Sequence, residues 1–304
     1  MEKVYDTVII GTGIAGITAA IYLKRSNLDV LLIDKDAPGG QLNKISIIEN
    51  YPGYLKISGP ELSEKLLEQV KNLNIEQRYG KAIDIKDENN IKIIKTDIEE
   101  IKTKTVIIAI GRTPNKLNIE NEEKLLNKGI SYCALCDGPL FKDKEVAVVG
   151  SGNSAVEESL YLSNICKKVT LIIRTDRFKA EETLQNQLKN KKNIDIKYNC
   201  VVDTIIEENN VLKSLKLSNN EIIDVQGLFI YIGSTPNTNF LNQLEIETDK
   251  NFIKVDSNMK TNIKGIYAIG DVIKKDVYQL TTATSDATIA AISIKNYLSK
   301  TNNL

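Results

Sequence analysis

The chain has 304 residues, enough for two domains at roughly 150 residues each. Apolar residues make up 42% and charged residues 26%, which excludes a disordered or collagen-like chain. Forty Lys plus Arg balance forty Asp plus Glu, so no bulk charge draws the chain to nucleic acid or an anionic membrane. The absence of histidine excludes Ser-His-Asp and Cys-His catalysis and any His-ligated metal.

The amino terminus, MEKVYDTVIIGTGIAG, has no basic region, long apolar stretch or cleavage site of a signal peptide. No apolar run approaches the ~18 residues that span a bilayer. A cytoplasmic protein with no membrane or nucleic-acid partner is expected. Residues 5–34 then read as a βαβ unit. An apolar strand enters Gly11-x-Gly13-x-x-Gly16, a helix follows through Ile17, Ala20, Ile21 and Leu23, and a second strand ends on Asp34. Residues 105–115, TVIIAIGRTPN, are a strand broken by Gly and Pro. Residues 144–174 repeat the βαβ grammar with Gly150-x-Gly152-x-x-Ala155, and residues 228–237, LFIYIGSTPN, repeat the broken strand. A tail with GIYAIGDV at 265–272 has no glycine-rich entry of its own.

The first glycine of such a turn permits the bend, and the second lets backbone approach a pyrophosphate. The third position must be small for helix to pack on strand, and the helix N-terminus offers N–H groups to phosphate. The tail therefore completes the first domain. The expected fold is α/β, with two Rossmann-like dinucleotide-binding domains, the second inserted into the first. Residues 1–114 and 238–304 form one domain and 115–237 the other, and the two Thr-Pro-Asn crossings make a hinge.

Cys133 and Cys136 form a CxxC in SYCALCDGP. A structural zinc site would also need the isolated Cys166 and Cys200, so no metal is expected, and those two read as small buried hydrophobes. The CxxC spacing suits a redox disulfide in a reducing compartment. Asp137 is next in sequence. Two readings of it stay open: a proton carrier for the pair, or part of an Asp-Gly turn. A dithiol exchanges electrons by thiolate attack and a nicotinamide delivers hydride, so a flavin is needed between them. Two dinucleotide folds and one CxxC thus imply FAD in one domain and a donor site in the other.

Over essentially its whole length the chain resembles the low-molecular-weight thioredoxin reductase family, a branch of the flavoprotein disulfide reductases. The resemblance is carried by GTGIAG at 11–16, GGQL at 39–42, ENYPG at 49–53, CALCDG at 133–138, GSGNSA at 150–155, IGSTPN at 232–237 and GIYAIGDV at 265–272. It implies thioredoxin reduction through FAD and the CxxC, with a thioredoxin-like partner and a homodimer. It implies FAD contacts from Gly11, Gly13, Gly16, Asp34, Lys35, Gly39, Gly40, Gln41, Leu42, Asn50, Gly111, Asp271, Val272, Gln279 and Leu280. By the same resemblance, Cys136 lies next to the flavin, Cys133 attacks the protein substrate and Asp137 is the acid.

Gly150, Gly152, Ala155, Arg174 and Lys179 fall on the family's nicotinamide-nucleotide site, where the pattern departs. Members that use NADPH carry His-Arg-Arg-x-x-x-Arg; here residues 173–179 read IRTDRFK. Arg and Lys are not equivalent for gripping a 2′-phosphate. Tyr278-Gln279 also stands where the family has Arg-Gln. Three donor readings follow: NADP(H) held by Arg174, Arg177 and Lys179; NADH held by Asp176; or ferredoxin, as in a branch of the family. The alternative to turnover is an FAD-binding redox sensor or another flavoprotein disulfide reductase.

Overall fold

The computed structural model describes residues 3–45, 48–88 and 90–301. Strand β1 (Val4–Ile10) is buried along most of its length. It leads into helix α1 (Ile14–Arg25), which buries Ile17, Ala20 and Leu23 and ends on Lys24 and Arg25, where the helix dipole favours cations. Strand β2 (Val30–Asp34) returns parallel to β1, with Ile9 opposite Leu32. Helix α2 (Gly59–Asn72) starts at Ser58, whose hydroxyl accepts the Glu61 N–H. Leu62, Leu66 and Val70 recur every four residues and form its buried stripe. Strands β3 (Glu76–Tyr79), β4 (Ala82–Glu88), β5 (Ile91–Thr96) and β6 (Glu100–Ile108) complete this stretch. The sheet order is β3-β2-β1-β6-β5-β4, parallel from β3 to β6 and antiparallel beyond.

The chain leaves this sheet through β7 (Thr113–Pro114) and continues with β8 (Ile130–Ser131), α3 (Ala134–Asp137), β9 (Glu145–Val149), α4 (Asn153–Ser163), β10 (Lys168–Ile172), α5 (Glu182–Lys189) and β11 (Ile194–Lys197). A meander of β12 (Val202–Glu208), β13 (Val211–Leu217) and β14 (Ile222–Asp224) precedes β15 (Gly227–Ile230). The second sheet is parallel throughout, in the order β11-β10-β9-β15-β8. Strand β16 (Ser234–Thr235) pairs with β7 where the chain crosses back. Then come β17 (Thr248–Asp249), β18 (Phe252–Ile253), β19 (Ile266–Ala268) and the long helix α6 (Leu280–Thr301). β19 rejoins the first sheet beside β6, with Tyr267 opposite Ile107.

The chain divides into two compact units. One runs up to Thr113 and resumes at Thr235; the other is Pro114–Ser234. In the first, α1, α2 and α6 cover one sheet face over a core of Ile9, Ile17, Ile107 and Ile294. Val8, Ile10, Val106 and Ile108 face the other way, onto Leu241, Ile253 and Ile273. Both units are Rossmann-like α/β structures, the second inserted into the first. Among the described residues no helix is long and apolar enough to cross a membrane.

Candidate active site

Cys133 and Cys136 are joined as a disulfide, both half-buried. Strand β8 delivers them. Cys133 caps α3, its Sγ accepting the Cys136 N–H at 3.2 Å, a bond that favours negative charge on that sulfur when the pair is reduced. Ser131 braces the turn: its hydroxyl donates to Asp137 Oδ2 at 2.6 Å and accepts the Cys133 N–H at 3.0 Å. The Ala134 N–H donates to the Tyr231 hydroxyl just beyond β15. Asp137 is only 9% exposed, and its Oδ1 is buried without a hydrogen-bond partner. Burial pushes the Asp137 pKa up, and the Ser131 hydroxyl only partly offsets this. A buried carboxyl one residue from a disulfide, with one oxygen unengaged, is suited to hold and release a proton. Cys166 and Cys200 are free and buried, as small hydrophobes are, and burial pushes the Cys166 thiol up to about 11.

In the first unit the residues implied for FAD collect where strands end. Gly11 follows β1, Asp34 and Lys35 end β2, Gly111 follows β6, and Asp271 and Val272 follow β19. Ligands of open α/β sheets bind at these carboxyl ends. Gly11 has φ +110°, and a Cβ there would lie 2.3 Å from Ala109 O, so the bend requires glycine. Gly13 caps α1 without a side-chain hydrogen bond, and a Cβ built on it meets nothing within 4 Å. That is an open cradle beneath first-turn N–H groups, and it fits a pyrophosphate. The 3-10 turn Gly40–Lys44 closes over it: the Gly39 N–H donates to Thr12 O at 2.9 Å, and Gly40 lies against Gly13. Asp34 Oδ2 accepts both the N–H and the hydroxyl of Thr12 at 2.7 Å, and Oδ1 accepts the Asp36 N–H at 3.1 Å. With about four acceptor sites per carboxylate, one remains for a ribose hydroxyl. Asn50 Nδ2 donates to Gln279 Oε1 at 3.3 Å beside Leu280, the first residue of α6. Leu42 and Val272 are buried, which leaves their backbone as the groups they present. Lys35 pairs on the surface with Asp36.

The second unit repeats the cradle. Gly152 caps α4 with nothing within 4 Å of a built Cβ, while Ala155 is buried against the sheet. The segment after β10 folds back onto this turn, where the Lys179 and Ala180 N–H groups both donate to Ser151 O. Asn153 and Glu181 exchange two hydrogen bonds across the mouth. Arg174, Arg177 and Lys179 are exposed, and among the described residues none has an ion-pair partner; Asp176 is exposed beside them. Ser131, Tyr231 and Thr12 were not singled out from sequence. Only their closeness in sequence to the CxxC, the second Thr-Pro-Asn strand and the first glycine turn hinted at them.

A family model for pyridine nucleotide-disulphide oxidoreductases matches residues 5–287. A thioredoxin reductase of Ureaplasma parvum is 45% identical over 306 residues, spanning 99% of this chain and 99% of its own. One of Bacillus subtilis is 40% identical, spanning 98% of this chain and 96% of its own. The crystal structure of thioredoxin reductase from Streptococcus pyogenes matches with a TM-score of 0.93 at 41% identity, covering 99% of this chain and 100% of that one.

Proposed function

The chain belongs to the low-molecular-weight thioredoxin reductase family of pyridine nucleotide-disulphide oxidoreductases, and from that premise we propose how its residues divide the work. It is an FAD-dependent disulfide oxidoreductase that reduces thioredoxin through a CxxC. FAD supplies the conversion between hydride and thiol chemistry. Gly11, Gly13, Gly16 and the start of α1 hold the pyrophosphate, Asp34 the adenosine ribose, and Asp271 the ribityl chain.

Once the pair is reduced, the Cys133 thiolate attacks one sulfur of the thioredoxin disulfide. A mixed disulfide forms, the thioredoxin S–S bond breaks, and Asp137 protonates the leaving thiolate. The Cys136 thiolate then attacks Cys133 Sγ. That step releases the second thioredoxin thiol and restores the Cys133–Cys136 bond. The pair loses two electrons and thioredoxin gains them. The buried Asp137 carboxyl with its unengaged Oδ1 carries this assignment.

The donor we propose is a reduced nicotinamide dinucleotide bound at Gly150, Gly152 and Ala155, its phosphates near Arg174, Arg177 and Lys179. The open Gly152 cradle and the three cations without ion pairs support this. Asp176 beside those cations favours NADH over NADPH within this reading, and reduced ferredoxin is the rival donor. NADPH should bind weakly. Charged hydrogen bonds are worth ~1.5–3 kcal/mol each, and two family cations are missing. Anaerobic stopped-flow reduction with NADPH, NADH and reduced ferredoxin tests this. A saturable nicotinamide phase slowed by Arg174→Ala supports the proposal; reduction by ferredoxin alone refutes it. We further propose a cytoplasmic homodimer, supported by Ile289 and Ile292 standing exposed on α6. Analytical ultracentrifugation checks the stoichiometry.

A further inference from the structure

Strand β8 ends on Ser131, and the second sheet fixes it there, with Ile130 opposite Leu228 and Ser131 opposite Phe229 of β15. Ser131 and Asp137 are both buried. The Ser131 hydroxyl has one hydrogen and two lone pairs. Its oxygen accepts the Cys133 N–H at 3.0 Å. Two oxygens lie within reach of its hydrogen, Asp137 Oδ2 at 2.6 Å and Cys133 O at 3.3 Å. Cys133 O already accepts the Asp137 N–H at 3.0 Å, so the nearer carboxyl oxygen takes the hydroxyl hydrogen.

The Asp137 carboxyl is therefore asymmetric. Oδ2 is held by a hydroxyl anchored in the sheet, while Oδ1 is buried with no hydrogen-bond partner. With Oδ2 accepting, the acid proton belongs on Oδ1. The other titratable groups around this turn come from four places. Cys133 and Cys136 lie on the turn itself, and Tyr132, just before it, gives its hydroxyl to Glu122. Tyr231, beyond β15, takes the Ala134 N–H. On α4, a Cβ built on Gly138 would lie 3.1 Å from Tyr161, and Glu158 stands one turn before that tyrosine.

We infer that Ser131 is a positioning residue for the thiol–disulfide step: its hydroxyl holds Asp137 by Oδ2, places the transferable proton on Oδ1 and ties this acid to the Cys133 backbone. The inference rests on the proposed role of Asp137 as the acid. In the transfer the Oδ1–H bond breaks as an S–H bond forms on the leaving thioredoxin sulfur. The Ser131 hydrogen bond to Oδ2 then stabilises the carboxylate that remains, because a hydroxyl donating to a carboxylate favours its charged form.

The test uses the full chain with FAD bound, in a Glu158→Gln background, because Glu158 is pushed up to about 7 and titrates in the same range. The flavin is photoreduced, oxidised thioredoxin is added, and the rate of thiol formation is followed against pH. Ser131→Ala removes a single oxygen and keeps the strand. It should lower the maximal rate about tenfold, the scale of one lost hydrogen bond to a charged group. It should also move the alkaline limb to higher pH, since the Ser131 hydroxyl pulls the Asp137 pKa down. Ser131→Thr, which keeps the hydroxyl, should restore the limb and most of the rate. A second reading needs no turnover. Infrared difference titration of the protonated carboxyl band, with Asp137→Asn as the blank, should show Asp137 giving up its proton at higher pH in Ser131→Ala than in the parent. A rate that falls while limb and band stay in place would make the serine a structural brace and overturn the inference, as would an unchanged rate. A limb that survives Asp137→Asn would sink the acid assignment itself, and the inference with it, even with the infrared shift present.

Discussion

Asp137 has two features that point the same way: burial raises its pKa, and its Oδ1 lacks a partner. A carboxyl held protonated beyond the ordinary aspartate range is better placed to give its proton to a leaving thiolate. Asp137→Asn should therefore cut thioredoxin turnover by about 10²–10⁴-fold while flavin reduction by the donor continues. In the native enzyme, turnover should decline as pH rises past the raised pKa, because only the acid form donates. The asparagine variant should lack that limb, and pH–rate profiles of the two proteins check it. The cysteines divide differently. Cys136→Ser should leave Cys133 able to trap thioredoxin as a mixed disulfide on a non-reducing gel, whereas Cys133→Ser should trap nothing. The CxxC-Asp run was readable from sequence because its chemistry is local. Ser131 bonding Asp137 and Tyr231 taking the Ala134 N–H were not, since each depends on where strands end in space.

The two glycine turns are the most readable elements, because strand, bend and helix start all follow from short-range sterics. β1 into α1 and β9 into α4 follow the pattern, and both cradles are open at the second glycine. Gly13→Leu should expel FAD and leave a colourless but folded protein, seen by absorbance and circular dichroism. The antiparallel β4–β5 pair and the β12–β14 meander were harder to read, being half-exposed strands rich in Lys, Asp and Glu. Helix α4 also carries a buried strain on stability. Glu158 Oε2 has no partner, and burial, aided by the Glu157 charge, pushes the carboxyl up to about 7 from an ordinary 4.5. The folded state therefore binds this proton more tightly. The group's stabilising contribution is present below about pH 4.5 and lost as pH rises through about 7. Glu158→Gln should flatten the fall in melting temperature between about pH 5 and 7, and a series of thermal melts checks it.

The two units share one plan: a parallel sheet, a glycine turn and an exit strand ending in Gly-x-Thr-Pro-Asn. They differ in what they carry: the Cys133–Cys136 disulfide and the exposed Arg174, Arg177 and Lys179 lie in the second unit, and Asp34 and Asp271 in the first. The central claim is that electrons held by the flavin leave through Cys133 to thioredoxin, whatever the donor. The most direct measurement bypasses the donor. The bound flavin is photoreduced without oxygen, oxidised thioredoxin is added, and flavin reoxidation is followed together with new thioredoxin thiols. The account predicts that the two rise in step in the native chain, and that Cys133→Ser yields neither. Flavin reoxidation without thiols, or thiols formed by Cys133→Ser, would contradict it.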